Sequence, residues 1–448
     1  MKKLFSLCLA FTLCIYMISS YAFAAGYDPS ATYDVQAESV YIVNTDTNII
    51  LYEKNADLEV SAGGLTKLMT AALILTQYQD VLDSTTITMP YAVSDYVYNT
   101  DSADIRAGET VTLRQMLYCM LLYNANDAAQ GTAYVLSEND LTGWVSQMNS
   151  LSQEIGTTNS VWTDACGIDD GNITTAKDIY LINRYLMSFD AYVEIMGTYQ
   201  YEMPANTSHS NSYYISSHNK MISETYGGKF YRAAVQGAIC DVTGYSGDNT
   251  GTQSCVSWSV SGGETYIYAV MSSPDSADTY GYSTRRPAQY ETTQLVDWVT
   301  STYSIQSALD PDEPLCEISV KYSADLAYLK LYPDDEILTI LPASGDSSMA
   351  QKVYNLPDYV TAPIEQGDVI GTVTLVLTGE EIGTANLIAG QSIARNDLLY
   401  TFMKLKEFFG SLYVKVVLTL SGIALLIYLC WFTVRAIKQH SNKKIRRH

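Results

Sequence analysis

Ser61-Ala62-Gly63-Gly64-Leu65-Thr66-Lys67-Leu68-Met69-Thr70 runs straight into Ala71-Ala72-Leu73-Ile74-Leu75. From Leu68 to Leu75 the stretch is apolar nearly all round, the pattern of a helix buried in the centre of a domain rather than lying on its surface. Two adjacent glycines, Gly63 and Gly64, each cost about 1 kcal/mol relative to alanine inside a helix. A frayed or shifted helix start is therefore expected there. Gly64 and Lys67 are three residues apart and share one helical face.

Residues 38–55 read as a hairpin. Val40-Tyr41-Ile42-Val43 and Ile49-Ile50-Leu51-Tyr52 are joined by the polar Asn44-Thr45-Asp46-Thr47-Asn48. Helical patterns follow over residues 107–136, with a polar interruption at Asn124-Ala125-Asn126-Asp127. Thr175-Ala176-Lys177-Asp178 reads as a capping box opening a helix whose apolar face is Ile179, Ile182 and Leu186. Strand-like runs return at residues 253–260 and 265–272, with a closing helix over 292–299. Such an order predicts a sheet with helices packed on it, one cluster of helices forming a separate lobe.

Past residue 308, Pro311, Pro314, Pro333, Pro342, Pro357 and Pro363 punctuate short β-like runs at 318–322, 328–332, 337–341 and 369–377. This predicts an all-β module over residues 309–395. Residues 396–415 then read as an amphipathic connector, either a plain stalk or a surface that touches a membrane.

The ends set the compartment. Lys2 and Lys3, an apolar run from Leu4 to Ile18 and Ala22-Phe23-Ala24 read as a secretory signal peptide over residues 1–24. Residues 416–434 are 19 uncharged residues, enough to cross a bilayer. The basic tail 435–448 that follows places the carboxy terminus in the cytoplasm by the positive-inside rule. The bulk of the chain is then extracytoplasmic on a single-pass anchor.

The net charge of −22 over 448 residues conceals an uneven distribution. Nine of the 26 basic residues lie in the signal peptide and after residue 411, which leaves 17 basic against 48 acidic residues, a net of −31, over residues 25–411. Such a surface repels polyanions and argues against nucleic acid as a partner. With 47% apolar and 17% charged residues the composition is otherwise that of ordinary globular domains. Cysteine spacings resemble no zinc site, so no metal and no cofactor are expected. Cys240 and Cys255 flank a turn-rich stretch and face each other across two antiparallel strands only if the register allows; otherwise they stay reduced.

Three segments, taken together and in order, resemble the D-alanyl-D-alanine carboxypeptidases, the low-molecular-mass penicillin-binding proteins of serine β-lactamase-like fold. Gly64-Leu65-Thr66-Lys67 resembles the Ser-x-x-Lys tetrad, Asn124-Ala125-Asn126-Asp127-Ala128-Ala129 the Ser-x-Asn loop, and Val242-Thr243-Gly244-Tyr245 the Lys-Thr-Gly strand. Ala107–Thr110, Gly167-Ile168, His218-Asn219-Lys220-Met221 and Ile364–Gly371 add support. The resemblance covers roughly residues 35–395. It implies an α/β (α+β) transpeptidase-like domain over 32–308, with a central sheet and a helical lobe, followed by the small all-β domain and one transmembrane helix.

It also implies where chemistry fails. Gly64 stands at the nucleophile position, Asn124 at a proton-relay position and Val242 at the carboxylate-binding lysine. Lys67, Asn126, Thr243 and Gly244 are kept. Ser61 is nearly two turns from Lys67 and Thr66 projects elsewhere, so neither completes the pair. Loss of a serine nucleophile costs on the order of 10⁶ in turnover, and loss of the cation at 242 removes a contact of about 1.5–3 kcal/mol to a peptide carboxylate. The expected protein is an inactive homologue that binds a peptidoglycan stem peptide or a cell-wall protein. The alternatives are a carboxypeptidase using a non-standard nucleophile and a purely structural interaction protein.

Overall fold

The computed structural model describes residues 33–243, 252–274, 286–323, 326–343, 350–377 and 380–445. The segment 1–24 read as a signal peptide, Gly244 and Tyr245 of the third motif, and the last three residues lie outside them. Two compact units are distinguished, one built mainly from residues up to 306 and one from 307 onward, with 339–351 and 376–382 belonging to the first.

In the first unit the predicted hairpin forms from Ser39–Asn44 and Ile50–Lys54. It joins the strands Glu264–Pro274, Thr252–Ser261 and Val235–Thr243 in one five-stranded antiparallel sheet, with Val235–Thr243 at the edge. Side chains alternate between its faces, as period-two strands require. Ile267, Ala269 and Met271 join one buried cluster, whereas Tyr266, Tyr268 and Val270 join the other. Both faces are covered, the second by the helix Pro287–Thr302 through Leu295, Val296 and Val299. Cys255 pairs in register with Cys240, and the two form a disulfide.

The helix Thr66–Tyr78 lies on the opposite side, with every residue from Thr66 to Leu75 buried. Its start is shifted as the glycines suggest. Gly63–Leu65 form a 3-10 turn with Gly63 at φ +48°, and the α-helix begins at Thr66. Around it pack Leu113–Leu122, Asn126–Leu136, Leu141–Ile155 and Ala176–Leu186, the helical lobe.

One local expectation is corrected. Thr175 does cap its helix, its hydroxyl accepting from Asp178 N at 3.1 Å, but the reciprocal half of the box is absent. The Asp178 carboxylate instead accepts from Thr158 N, Asn159 N and Ser160 Oγ, so its acceptor capacity is spent on the preceding loop. A complete capping box occurs at Thr112 and Gln115.

The second unit carries a six-stranded sheet in the order 350–355, 369–377, 380–389, 328–333, 316–321 and 360–361. Leu329, Leu331, Val373, Leu375 and Leu387 are buried along it. The helix Asp397–Gly410 leaves Leu398, Phe402, Leu405 and Phe408 exposed. A second helix begins at Leu412, and its 24 residues to Arg435 are long and apolar enough to cross a membrane. The segment spans about 36 Å.

Candidate functional site

Lys67 is the floor of the site. It is only 1% exposed, and its Nζ donates to the Cys166 carbonyl at 2.7 Å. One turn later the Thr70 hydroxyl donates to the Ala165 carbonyl at 2.7 Å. The three-residue spacing therefore lets one helical face hold two successive carbonyls of the facing loop.

That loop is held by Asp164, and also by Asn172, which accepts from Thr163 N at 3.0 Å and donates to Asp169 O at 2.8 Å. The Asp164 carboxylate accepts from Cys166 N, Gly167 N, Ile168 N and Asp169 N at 2.5–2.9 Å, and from Asn172 Nδ2 at 3.2 Å. Gly167 sits at φ +85°, and a Cβ there would come 1.8 Å from the Gly63 carbonyl oxygen. Loop and turn touch backbone to backbone, which only glycine at 167 permits.

No side-chain hydroxyl occupies position 64, which lies buried in the 3-10 turn. Among the described residues, the hydroxyls of Ser61 and Thr66 and the thiol of Cys166 are not placed to replace it. Ser61 is exposed on the short strand Val60–Ser61, paired with Ile173–Thr174 on the outside. Thr66 is fully buried, and its Oγ1 has no hydrogen-bond partner among the described residues. Cys166 is buried beside Lys67, and its thiol is pushed up to about 12, chiefly by burial and further by Asp164, against the smaller opposing effect of Lys67.

The second motif forms the turn between Leu113–Leu122 and Asn126–Leu136. Asn124 takes the left-handed conformation at φ +62°, which asparagine tolerates better than most residues. Asn126, nearly buried, opens the next helix and its N–H donates to Asp101 O at 2.8 Å. Asp127 pins the covering segment, accepting from Ser102 Oγ, Ala103 N and Ile105 N at 2.7–3.0 Å. Burial raises its pKa while these bonds oppose the rise.

Of the third motif, Val242 and Thr243 lie on the edge strand, opposite Gln253 and Thr252. This strand runs beside the Gly63–Leu65 turn, so the first and third motifs are neighbours.

His218 and Lys220 enter the sequence reading only as supporting residues and Arg286 not at all; the structure places all three on one network, Gln289 accepting from Lys220 N and donating to the His218 carbonyl. His218 N donates to Leu122 O at 2.9 Å, and its ring lies 4.8 Å from that of Tyr123. Arg286 Nη1 donates to the His218 carbonyl at 2.7 Å. The His218 pKa is lowered, first by burial, then by the charges of Arg286, Lys220 and Lys67, with Asp101 opposing them. Lys220 donates to the Tyr199 hydroxyl and lies 5.0 Å from that ring's centre. Arg286 thus holds the His218 carbonyl, and the charges of Lys220 and Lys67 also act on its ring, in an otherwise strongly acidic chain. Only position in the fold reveals this, since 67, 220 and 286 share no local pattern. Among the described residues no three of His, Cys, Asp and Glu converge as metal ligands.

Residues 25–236 match the family described as D-alanyl-D-alanine carboxypeptidase, and residues 305–395 match that described as penicillin-binding protein 5, C-terminal domain. The D-alanyl-D-alanine carboxypeptidase DacF of Bacillus subtilis is 24% identical over 374 residues, 82% of this chain and 88% of that protein. DacC of Escherichia coli is 22% identical, covering 89% and 95% of the two chains. Among solved structures, penicillin-binding protein 5 of Haemophilus influenzae aligns at a TM-score of 0.55 with 20% identity, over 81% of this chain and 99% of that one. The carboxypeptidase DacD of Francisella tularensis aligns at 0.58 with 17% identity, over 85% and 99%.

Proposed function

We propose, from the premise that this chain belongs to the D-alanyl-D-alanine carboxypeptidase family, that it serves peptidoglycan metabolism by binding rather than by cleaving. The observation that carries this is the pair Gly64 and Lys67. The lysine is sealed against the Cys166 carbonyl, and the position one turn before it has no side chain to deprotonate. Acyl transfer needs an activated nucleophile within hydrogen-bond reach of its base. Ser61, Thr66 and Cys166 are respectively outside, buried and held as a thiol, which supports the loss of that step.

The ligand is a stem peptide ending in a free carboxylate, or a cell-wall protein presenting one. Val242 supplies no cation, but Lys220 and Arg286 beside His218 give the cleft local positive potential, and a site lined by one sign of charge concentrates the opposite one. Asn126, Thr243 and Gly244 are the remaining polar contacts in this reading, and Asn124 keeps the turn in shape. The apolar helix after Leu412 anchors the chain, with the basic tail in the cytoplasm and the two units outside.

The test is covalent labelling by a fluorescent penicillin, using the full chain in detergent and its Gly64→Ser variant. The natural chain stays unlabelled, in keeping with a loss on the order of 10⁶ when such a nucleophile is removed. A labelled band from the natural chain would overturn the reading. Labelling of the variant alone would show that the cleft is intact around the absent hydroxyl.

A further inference from the structure

The helix Asp397–Gly410 is mounted the wrong way round for a helix lying between a protein module and water. Leu398, Phe402, Leu405 and Phe409, spaced four, three and four apart, share one face, and all are 50–86% exposed. A surface helix of a globular domain turns such a stripe inward. Here the opposite face is the one held. The Tyr322 hydroxyl donates to Glu407 Oε1 at 3.3 Å, the Tyr322 ring meets that of Tyr400 edge-on at 5.1 Å, and Asn396 N donates to the Tyr322 carbonyl at 2.8 Å. Asn396 also caps the helix, its side chain accepting from Leu399 N at 2.9 Å. Tyr322 directly follows the strand Cys316–Lys321, so the β module itself holds the helix with its apolar stripe facing away.

What covers the stripe follows from what comes next in the chain. Ser411, extended at ψ 145°, breaks the helix, and after this single residue begins the segment Leu412–Arg435, long and apolar enough to cross a membrane. The stripe therefore ends where the chain enters a bilayer. Local charge agrees with that position. Residues 395–415 hold four basic and two acidic residues in a chain of net charge −22. Asp397 pairs with Arg395 and Glu407 with Lys404, whereas Lys406 and Lys415 form no ion pair among the described residues. An apolar face flanked by such lysines suits anionic lipid headgroups.

We infer that the helix Asp397–Gly410 lies in the headgroup layer of the bilayer that the next helix crosses, its stripe against the acyl chains and the β module on its other face. The inference rests on the reading of Leu412–Arg435 as the membrane anchor and is independent of Gly64 and Lys67.

Photocrosslinking of the full chain in vesicles of phosphatidylglycerol and phosphatidylethanolamine tests it, with p-benzoylphenylalanine replacing Phe402, Phe409, Met403 or Ile427 in turn. Mass spectrometry after irradiation should find lipid adducts from positions 402 and 409 on the stripe and their loss at 403, which is half-buried on the held face. Position 427, inside the apolar segment, reports the anchor itself. Lipid adducts from 427 with none from 402 would overturn the inference and leave the anchor standing, whereas adducts from neither would overturn both. A crosslink from 402 to a second copy of the chain in place of lipid, or equal lipid labelling at 402 and 403, would also overturn it. The first would make the stripe a contact between copies, and the second a helix with no fixed face.

Discussion

The two walls that meet across Lys67 are built on opposite principles. The loop 164–172 is saturated, with one carboxylate collecting four main-chain N–H groups and an asparagine amide. The turn 63–66 is sparse: two glycines without side chains and a threonine hydroxyl with no partner among the described residues. One wall is fully built from side-chain and main-chain bonds, while the other carries no side chain at positions 63 and 64. The hydrogen bonds that hold the loop therefore do not depend on any side chain at position 64, because none of them involves that position.

The contrast can be broken most forcefully at Asp164. Asp164→Ala leaves at least four buried or half-buried N–H groups without their acceptor and should cost about 3 kcal/mol or more in denaturant unfolding. A loss below about 1 kcal/mol would show that the loop holds itself. Gly167→Ala comes next, at about 2 kcal/mol or more, since its Cβ meets the Gly63 carbonyl and the backbone has φ +85°. Calorimetry showing an unchanged melting temperature would mean that turn and loop separate readily. Thr66→Val tests the sparse wall and should be neutral or stabilising by up to about 1 kcal/mol, because it removes an unpaired hydroxyl at nearly constant shape. A clear destabilisation would reveal a partner for that hydroxyl.

The smallest effect concerns pH. Burial lowers the pKa of His218 below its ordinary 6.5. As pH falls from about 6.5 towards the folded value, the unfolded chain takes up a proton that the folded chain refuses, so stability declines. It declines by a fraction of the about 1.4 kcal/mol per pH unit that one full proton supplies. Melting curves between pH 7.5 and 5.5 should be flatter for His218→Asn than for the natural chain. Equal slopes would remove His218 from the buried cluster.

Much of this was legible before any coordinates. The run Leu68–Leu75, uniformly apolar, marked a central helix, and alternating runs at 40–43, 253–260 and 265–272 marked strands, because burial of one face or all faces writes a period into the chain. Glycine at 64 is a fact of sequence that no packing can change. The capping-box signature at residues 175–178 forms only in half, since a local pattern names one possible partner but not the distant ones, here Thr158 and Asn159, that occupy the carboxylate.

The sequence by itself determined the mixed α/β class, the proline-punctuated β module, the apolar helix near the carboxy terminus and the missing hydroxyl one turn before Lys67. Only the tertiary structure decided that Lys67 donates to a carbonyl 99 residues away, that register joins Cys240 to Cys255, and that Arg286 donates to the His218 carbonyl. The reason is range. Periodicity and turn chemistry are local properties of neighbouring residues, whereas a partner distant in sequence is fixed by how sheets and helices pack, and no spacing in the chain encodes that.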